Sequence, residues 1–562
     1  MSEAKSRKAK SGEAKSGEAK SGEAKSGEAK SSEAKSSEAK SSEAKSSAGN
    51  PADIRRSGRL SVYELFAAQA KRDPAALAIE QGSLRRSYGA LDQRVRHLAA
   101  ALYGKGLRHG DRIALLSENR AEYVEIELAA ACLGAIVACQ NWRLAAAELQ
   151  HCLDLVSPAL VVVSRRFAKT LSALDLHGVP SLVIEDDYEQ LTATAPPDWE
   201  RPYVDPEDGL VILYTSGTTG LPKGALISHR AEIARMALLR MDIRATEEDG
   251  FVAWAPMFHM GSTDQLLGTL MSGATVYVVD GFNAQAIVDI MERAKLGWLL
   301  LMPGSIEPVV DVLKAGGRRP RGIRAVGAMA DLVPKKLIAE LTELVGAPYL
   351  NSFGATETGL APASASLIPP GEVPASLSKR QSGLCDLRLV DPQGADVADG
   401  EPGEAAVRGP TVFSGYWNSE ATNAREFKDG WFRMGDLFRR NPDGSYDFVD
   451  RAKYMIKSGG ENIYPAEIER VLLSDPRVSD AVVVRKSDAK WGEVPVAFIS
   501  RRDDALCEAD VEAVCRQWLA GYKRPKEVHF VRFEDFPRST TGKILRHEME
   551  KKLSSTPKIT AP

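Results

Sequence analysis

A run of glycine, threonine and lysine residues between Leu213 and His229 has the composition of a phosphate-binding loop. It reads LYTSGTTGLPKGALISH and follows an apolar stretch that is typical of a strand. Glycines let the backbone approach an anion closely, with N–H groups pointing at it. Hydroxyl groups and one positive charge complete the set, whose members are Thr215, Ser216, Gly217, Thr218, Thr219, Gly220 and Lys223. The spacing of a Walker A loop is absent, so the run predicts a phosphate cradle of another kind.

Five further motifs follow this loop along the chain. They are APMFH at 255–259, NSFGATETG at 351–359, GWFRMGD at 430–436, DRAKYMIKSGGENIYPAEIE at 450–469 and PRSTTGK at 537–543. With TSGTTGLPKG, they resemble the ordered motifs of the adenylate-forming superfamily, which includes acyl- and aryl-CoA synthetases, luciferases and adenylation domains of peptide synthetases. The resemblance covers roughly residues 60 to 550. It implies an AMP-forming acid–thiol ligase. A carboxylate attacks the α-phosphate of ATP to give an acyl-adenylate and pyrophosphate, and a thiol then displaces AMP.

The resemblance implies which residues handle phosphate and metal. The loop from Thr215 to Lys223 would hold the β- and γ-phosphates. Thr356 and Glu357 match the family's phosphate-binding threonine and Mg²⁺-binding glutamate, and a carboxylate suits this hard cation. Lys543 would be the catalytic lysine that follows the charge on the α-phosphate and the carboxylate. Its PRSTTGK context also resembles a target of lysine acetyltransferases, and acetylation would remove that charge.

Other motif residues correspond to the family's adenosine-binding positions. Phe353 would lie against the adenine beside Gly354, offering the stacking face of the commoner tyrosine without its hydroxyl. Asp436 would accept both ribose hydroxyls, and Arg451 would contact the same ribose. Met434 stands where the family usually has threonine, so a hydroxyl is missing next to this ribose site.

The stretch after Arg451 resembles the family's interdomain hinge and CoA channel. Lys453 would be the hinge about which a mobile C-terminal domain turns. Lys457, Gly459 and Gly460 would line a narrow channel for the CoA thiol arm, where glycine leaves room for it to pass. A plain turn would use the same composition.

The acid pocket, by the family pattern, is built from three short segments. Its predicted residues are His259, Met260, Thr263, Gly327, Ala328, Met329, Asn351 and Ala355. His259 would guard the pocket entrance or position the carboxylate. No arginine or lysine occurs in residues 259–263, 327–330 or 351–355. A monocarboxylate with an uncharged tail is therefore favoured, and aromatic, alicyclic, branched and fatty acids all stay open. Asp264 could meet an amine, although such a residue more often faces solvent or a helix N-terminus.

The elements that must position these residues alternate between strand and helix. Short apolar runs predict strands at 112–116, 160–164, 181–184, 275–279 and 298–302, with helices at 284–294 and 334–344. This alternation predicts an α/β fold with partly parallel sheets. Turn-rich strands near 388–390, 404–408 and 445–449 predict a β subdomain. By family pattern we expect a large N-terminal α/β domain over 53–450 and a small mobile α+β domain over 451–562.

Residues 1–52 form a separate low-complexity tail. SGEAK occurs four times from Ser11 and SSEAK three times from Ser31. Such a segment cannot bury enough apolar surface to offset its ordering entropy, so disorder is expected, with a helical spacer or a partner-binding tail as alternatives. Residues 2–45 hold ten lysines and one arginine against eight glutamates, which makes this part +3 and the rest of the chain near −6.

Composition excludes several classes of protein. The chain has 73 Lys and Arg residues against 76 Asp and Glu residues, which gives no reason to expect nucleic acid as a partner. Six cysteines without a CxxC pair favour reduced thiols in a cytoplasmic protein. The longest apolar stretch, 128–139, is shorter than the about 20 residues that span a bilayer.

The expected partners are therefore ATP, Mg²⁺, a small carboxylic acid and CoA. Nineteen residues follow Lys543, too few for an attached carrier domain, so CoA is the expected acceptor. A stand-alone acyl-AMP ligase that loads a separate carrier protein is the alternative. A non-catalytic scaffold acting through the tail, and a homo-oligomer, also stay open.

Removing the tail tests its predicted independence from catalysis. A chain that begins at Asp53 should keep its turnover, because every motif residue lies after that point. Steady-state AMP release, compared between the truncated and full-length proteins, measures this. A large loss of turnover would show that the tail is more than a tether.

Overall fold

The computed structural model describes residues 51–193, 199–216, 221–459, 461–538 and 543–555. Most of the predicted tail, residues 1–50, therefore lies outside the described residues. The chain divides into two units between Arg56 and Ser57. The first described helix begins before this boundary, and all other described elements belong to the second unit.

The helices of the described residues are numbered in chain order. They are α1 (Pro51–Ser57), α2 (Val62–Arg72), α3 (Tyr88–Gly104), α4 (Ala121–Leu133), α5 (Ala146–Val156), α6 (Ala168–Leu171), α7 (Ile184–Ala193), α8 (His229–Ile243), α9 (Met260–Met271), α10 (Ala284–Arg293), α11 (Ile306–Gly316), α12 (Lys335–Val345), α13 (Glu420–Glu426), α14 (Pro465–Leu472), α15 (Glu508–Trp518) and α16 (Arg546–Ser555).

The strands are numbered in the same way. They are β1 (Leu77–Gln81), β2 (Leu84–Ser87), β3 (Arg112–Leu116), β4 (Ile136–Cys139), β5 (Leu160–Val163), β6 (Ser181–Val183), β7 (Gly209–Ser216), β8 (Pro222–Ser228), β9 (Phe251–Ala253), β10 (Val276–Val278), β11 (Leu296–Leu299), β12 (Ile323–Val326), β13 (Tyr349–Leu350), β14 (Gly354–Ala355), β15 (Gly359–Pro362), β16 (Leu367–Ile368), β17 (Asp386–Val390), β18 (Pro402–Arg408), β19 (Phe427–Lys428), β20 (Trp431–Arg440), β21 (Tyr446–Arg451), β22 (Ile456–Ser458), β23 (Glu461–Ile463), β24 (Val478–Asp488), β25 (Gly492–Arg501) and β26 (Glu527–Phe530).

A six-stranded sheet carries the predicted phosphate loop at one edge. Its order is β6-β5-β3-β4-β7-β8, with parallel pairing except for the antiparallel pair β7–β8. Strands β4 and β5 are buried on both faces, which explains their unbroken apolar sequences. The apolar stretch 128–139 is the end of the fully buried helix α4 followed by β4.

Two four-stranded sheets and a hairpin complete the α/β part. Their orders are β2-β1-β10-β9 and β11-β12-β13-β16, and a parallel bridge from Gly250 to Leu296 lies between them. The predicted strand at 298–302 is Leu296–Leu299 instead, because Met302 begins a 3₁₀ turn at Pro303–Ser305. The short hairpin β14–β15 carries the turn that contains Thr356 and Glu357.

Two further sheets account for the remainder of the described chain. The antiparallel sheet β17-β18-β20-β19, with β21 paired to β20, forms the predicted β subdomain. The sheet β23-β22-β25-β24, with β26 on β25, builds a separate apolar core that includes Ile456, Ile468 and Val483. Between the two sheets lies the 3₁₀ turn Ala452–Tyr454. The α/β fold class with a small C-terminal domain is therefore confirmed.

Two predictions from composition concern the whole chain. All six cysteines are free thiols, as expected. Among the described residues, every helix is too short or too polar to cross a lipid bilayer.

Candidate active site

The phosphate loop closes the hairpin of β7 and β8. Thr215 lies opposite Lys223, and Ser216 lies opposite Pro222. The hairpin therefore brings a threonine and a lysine to the same end of the sheet edge. The predicted residues Gly217, Thr218, Thr219 and Gly220 lie outside the described residues.

Tyr416 connects Lys223 to Glu357. The Lys223 ammonium lies 4.4 Å from the centre of the Tyr416 ring and 3.1 Å from Oε1 of Glu426. The Tyr416 hydroxyl donates to Glu357 Oε1 at 2.7 Å. Burial, followed by the charges of Glu357 and Glu426, raises the pKa of Tyr416, so its hydroxyl stays a donor. The predicted phosphate and metal residues thus share one polar network that the sequence analysis missed.

The Glu357 carboxylate fits a magnesium ion bound mainly by phosphates and water. Among the described residues, its hydrogen-bond partner is the Tyr416 hydroxyl on one oxygen. The described residues contain no group of three or more metal-ligating side chains. Mg²⁺ commonly binds proteins through one or two carboxylates together with substrate phosphates, so a single glutamate is sufficient.

The hairpin that carries Thr356 and Glu357 leaves no room for a side chain at Gly354. An ideal Cβ there would lie 1.9 Å from the Gly359 carbonyl oxygen. Gly359 itself has a φ of 69°, in the left-handed region that favours glycine. The requirement for Gly354 therefore comes from its own hairpin, whatever it contributes to adenine binding.

Arg235 of α8 anchors this hairpin from inside the protein. Its side chain is fully buried, and its guanidinium donates to the carbonyl oxygens of Thr356 and Thr411, each at 3.0 Å. A third contact, at 3.3 Å, reaches Oδ2 of Asp264 on α9. Asp264 is therefore buried against an internal arginine and does not face solvent. One side chain thus ties the helix of the predicted acid pocket to the turn with the predicted metal ligand.

Two neighbouring carboxyls share the space around this arginine. Glu232 is fully buried, and neither of its oxygens has a hydrogen-bond donor among the described residues. Burial raises the pKa of Glu232 and of Asp264, and Asp264 raises that of Glu232 further. A protonated Glu232 beside an ionised Asp264 satisfies these constraints, because Arg235 then balances a single negative charge.

The predicted ribose residues are direct neighbours in the antiparallel sheet. Asp436 on β20 pairs with Arg451 on β21, and the Arg451 Nε lies 3.1 Å from Asp436 Oδ1. The Asp436 charge is the main cause that raises the pKa of Arg451. Met434 packs against the hydrophobic core, which accounts for an apolar residue at that position.

Phe353 belongs to an aromatic cluster beside this pair. Its ring meets Phe438 edge-on at 4.6 Å and lies 5.3 Å from Phe448. The backbone N–H of Phe353 donates to the Ser364 hydroxyl at 2.9 Å. The ring is therefore held on one side by the β subdomain, as an adenine platform requires.

Lys543 lies in the electrostatic range of the predicted nucleotide residues. Surrounding protein and the nearby Arg451 lower its pKa to about 8, and Asp436 and Asp331 oppose this shift. Lys543 is nevertheless exposed to solvent. The structure therefore brings the end of the chain to the ribose pair.

His259 is neutral and oriented. Its Nδ1 accepts a hydrogen bond from the Gly261 N–H at 3.3 Å and caps α9. Burial, followed by the charges of Lys543 and Arg143, lowers its pKa to about 4. Because Nδ1 is an acceptor, the ring proton lies on Nε2 and can be donated.

Two polar residues of the predicted acid pocket are used inside the protein. The Thr263 hydroxyl donates to the Met257 carbonyl, and the Asn351 amide donates to the Leu377 carbonyl at 3.0 Å. Asn351 also accepts a hydrogen bond from the buried Lys379. These side chains shape the walls, and contacts to an acid would have to come from their backbones.

The remaining predicted pocket residues are small or apolar. A Cβ at Gly327 would lie 2.1 Å from the Tyr349 ring, and the Ala328 N–H donates to the Tyr349 hydroxyl at 3.1 Å. Met260 and Met329 are partly buried against the core, and Ala355 is half-buried. The backbone at Gly327 and Ala328 is thus tightly packed. The flexible side chains of Met260 and Met329 can adapt to a bound acid.

Within the described part of the chain, the structure does not bring the predicted CoA residues Lys457 and Gly459 into contact with the predicted nucleotide residues. The backbone N–H of Lys457 donates to Glu493 at 2.9 Å and that of Gly459 to the Trp491 carbonyl at 2.8 Å, both within the C-terminal sheet. Gly460 lies outside the described residues. Lys453 lies in the 3₁₀ turn with its ammonium 5.0 Å from the Tyr454 ring.

Comparison with known proteins identifies relatives along nearly the whole second unit. The AMP-binding enzyme model matches residues 66–417, and the AMP-binding enzyme C-terminal domain model matches residues 467–543. The chain is 35% identical to an indoleacetate–CoA ligase of Aromatoleum aromaticum, over 85% of this chain and 95% of that protein. It is 32% identical to a feruloyl-CoA synthase of an Amycolatopsis species, over 86% and 97%.

A solved relative contains the reaction intermediate. It is the o-succinylbenzoate CoA synthetase of Bacillus subtilis in complex with its acyl-adenylate, with a TM-score of 0.77 and 26% identity over 88% of this chain and 98% of that one. The same enzyme in complex with ATP and a magnesium ion gives a TM-score of 0.77 at 26% identity, over 86% and 99%.

Replacing Arg235 by methionine tests its role as an anchor. The free energy of unfolding should fall by about 3–5 kcal/mol, because Asp264 loses its buried counter-charge. Urea unfolding measures this. Arg165→Met in the same large domain is the control, because the ion pair of Arg165 with Asp186 is exposed on both sides and worth at most about 1 kcal/mol. Equal losses in the two variants would contradict the role.

Proposed function

Because this chain belongs to the AMP-binding enzyme family and is an AMP-forming carboxylic acid–CoA ligase, we propose that its substrate is an aromatic monocarboxylic acid without a second charge. In the first half-reaction the carboxylate displaces pyrophosphate from ATP and becomes an acyl-adenylate. In the second, the CoA thiol displaces AMP and loses its proton, which leaves acyl-CoA.

The engagement of the internal cations supports an uncharged tail. Next to the predicted pocket, Arg235 is paired with Asp264, and the fully buried Lys379 lies 2.6 Å from Asp331. A second substrate carboxylate would have to compete with these buried carboxylates or stay unpaired in an apolar site, which is costly. Lys543 serves the reacting carboxylate.

An aromatic ring is favoured by the lining and by the relatives. Met260, Met329 and Phe353 offer polarisable, adaptable surface to a flat ring. The curated relatives named above act on indoleacetate and ferulate, by their names. Both acids join an aromatic system to one carboxylate.

Phosphate binding follows from the network around Tyr416. In this proposal the loop from Thr215 to Lys223 holds the β- and γ-phosphates, and Lys223 exchanges Glu426 for phosphate oxygens. Glu357, with Thr356 beside it, holds Mg²⁺, which supplies charge neutralisation on the phosphates when bound.

Charge development at the reacting atoms is met by two further groups. Lys543 neutralises the α-phosphate and the incoming carboxylate, while the neutral His259 donates from Nε2 to a carboxylate oxygen. Asp436 and Arg451 fix the ribose, and Phe353 stacks on the adenine. Acetylation of Lys543 would block this step and stays a prediction from the sequence, as do a cytoplasmic location and a homo-oligomer.

The second half-reaction requires a different arrangement of the C-terminal domain. The turn Ala452–Tyr454 between two independent sheets supports a hinge at Lys453. Rotation about it would withdraw Lys543 and present Lys457, Gly459 and Gly460 to the thiol arm of CoA.

A panel of acids tests the proposed substrate class. Acid-dependent ATP–pyrophosphate exchange should proceed with arylacetic and cinnamic-type acids. Their analogues with a second carboxylate on the ring should show kcat/KM at least about tenfold lower, because that charge stays unpaired. Equal rates would refute the substrate class, and no exchange with any acid would refute the function. AMP release that needs a carrier protein in place of CoA would identify the alternative acceptor.

Lys543 should be needed for the adenylation half-reaction only. Lys543→Ala should abolish exchange and leave CoA-dependent release of AMP from supplied acyl-adenylate nearly intact. In the wild type, exchange should fall as pH rises through about 8, because the ammonium with this lowered pKa loses its charge. Lys490→Ala, which removes an exposed lysine of the same domain, is the control. Normal exchange in Lys543→Ala would contradict the assignment.

A further inference from the structure

A buried carboxylate of the large domain accepts a hydrogen bond from the C-terminal domain. Asp450 lies in β21 beside Arg451 and is 2% exposed. Its Oδ1 accepts a hydrogen bond from the Arg451 N–H at 2.6 Å, and its Oδ2 accepts one from the Ala466 N–H at 2.8 Å. Ala466 is the second residue of α14, whose residue Ile468 packs in the C-terminal core.

Helix α14 takes its cap from the other domain. Its first residue, Pro465, has no N–H, and the N-cap residue Tyr464 makes no side-chain cap bond. The first N–H groups of a helix need acceptors from outside the helix. Asp450 supplies one, although it lies before the proposed hinge at Lys453 and the helix lies after it.

We propose that Asp450 is a positioning residue that locks the adenylation arrangement, and that this lock opens when the C-terminal domain turns to admit CoA. The inference rests on the proposed function, which includes the hinge. Asp450 and Ala466 lie on opposite sides of Lys453, so rotation there separates them. In the locked arrangement Lys543 lies within electrostatic range of Asp436 and Arg451.

A second contact across the junction is an ion pair that solvent weakens. Arg502, which follows β25, lies 2.9 Å from Glu307 of α11, and both side chains are about half exposed. Exposed ion pairs contribute little to an equilibrium. Loss of a helix cap, in contrast, typically shifts an equilibrium by about fivefold.

The lock predicts a changed ratio of the two half-reactions. In Asp450→Ala, the rate of acid-dependent pyrophosphate exchange, divided by the rate of AMP release from supplied acyl-adenylate and CoA, should fall by about fivefold. KM for ATP should stay within about twofold, since the Asp436–Arg451 pair is kept. If the alanine variant does not fold, Asp450→Asn keeps one acceptor and should shift the ratio in the same direction.

Asp510→Ala is the matched control. Asp510 caps α15 by accepting from the Cys507 N–H at 3.1 Å, entirely within the C-terminal domain. Its loss should lower the melting temperature and leave the ratio unchanged.

Three results separate the possible failures. A parallel fall of both half-reactions in the Asp450 variants would overturn the lock, as would a tenfold rise in KM for ATP, which would indicate a displaced Arg451. A wild-type protein without exchange would overturn the proposed function, and the lock with it.

Discussion

The buried guanidinium of Arg235 is the contact on which the geometry of the site depends. It joins the pocket helix α9, through Asp264, to the carbonyls of Thr356 and Thr411. Both carbonyls belong to irregular segments that cannot satisfy them locally, and a buried carbonyl without a donor is costly. The helix of the predicted acid pocket and the turn with the predicted metal ligand therefore share one anchor.

The pairing of buried charges inside the protein limits which side chains can bind substrates. Inside the protein, Arg235 and Lys379 are paired with carboxylates, and the excess carboxyls Glu127 and Glu232 have pKa values raised well above their usual range. Lys543 is exposed to solvent instead, as its proposed exchange of partners during the reaction requires. Burial thus separates structural cations from the one proposed to be catalytic.

Strand β21 makes two different contacts at the domain junction. Neighbouring residues of a strand point to opposite faces. On β21, Arg451 turns to Asp436 and the ribose site, while Asp450 turns to the first turn of α14. The contact with the proposed ribose residue and the contact with the C-terminal helix therefore come from two consecutive residues.

The sequence alone predicted the family, the reaction class and the α/β fold, because each motif is a short local run whose chemistry can be read directly. The strands that it named are present, with the one at 298–302 shifted to Leu296–Leu299. It also assigned Asp436 and Arg451 to one ribose site, and the structure shows these two residues paired across the sheet. It did not predict Arg235, Tyr416, Glu426 or Asp450, and it placed Asn351 and Thr263 in the pocket although their side chains are used in the walls. Those assignments depend on which polar groups folding buries together from distant segments. Only the tertiary structure decided them, because a charge or hydroxyl acquires its role from the partner that replaces water around it.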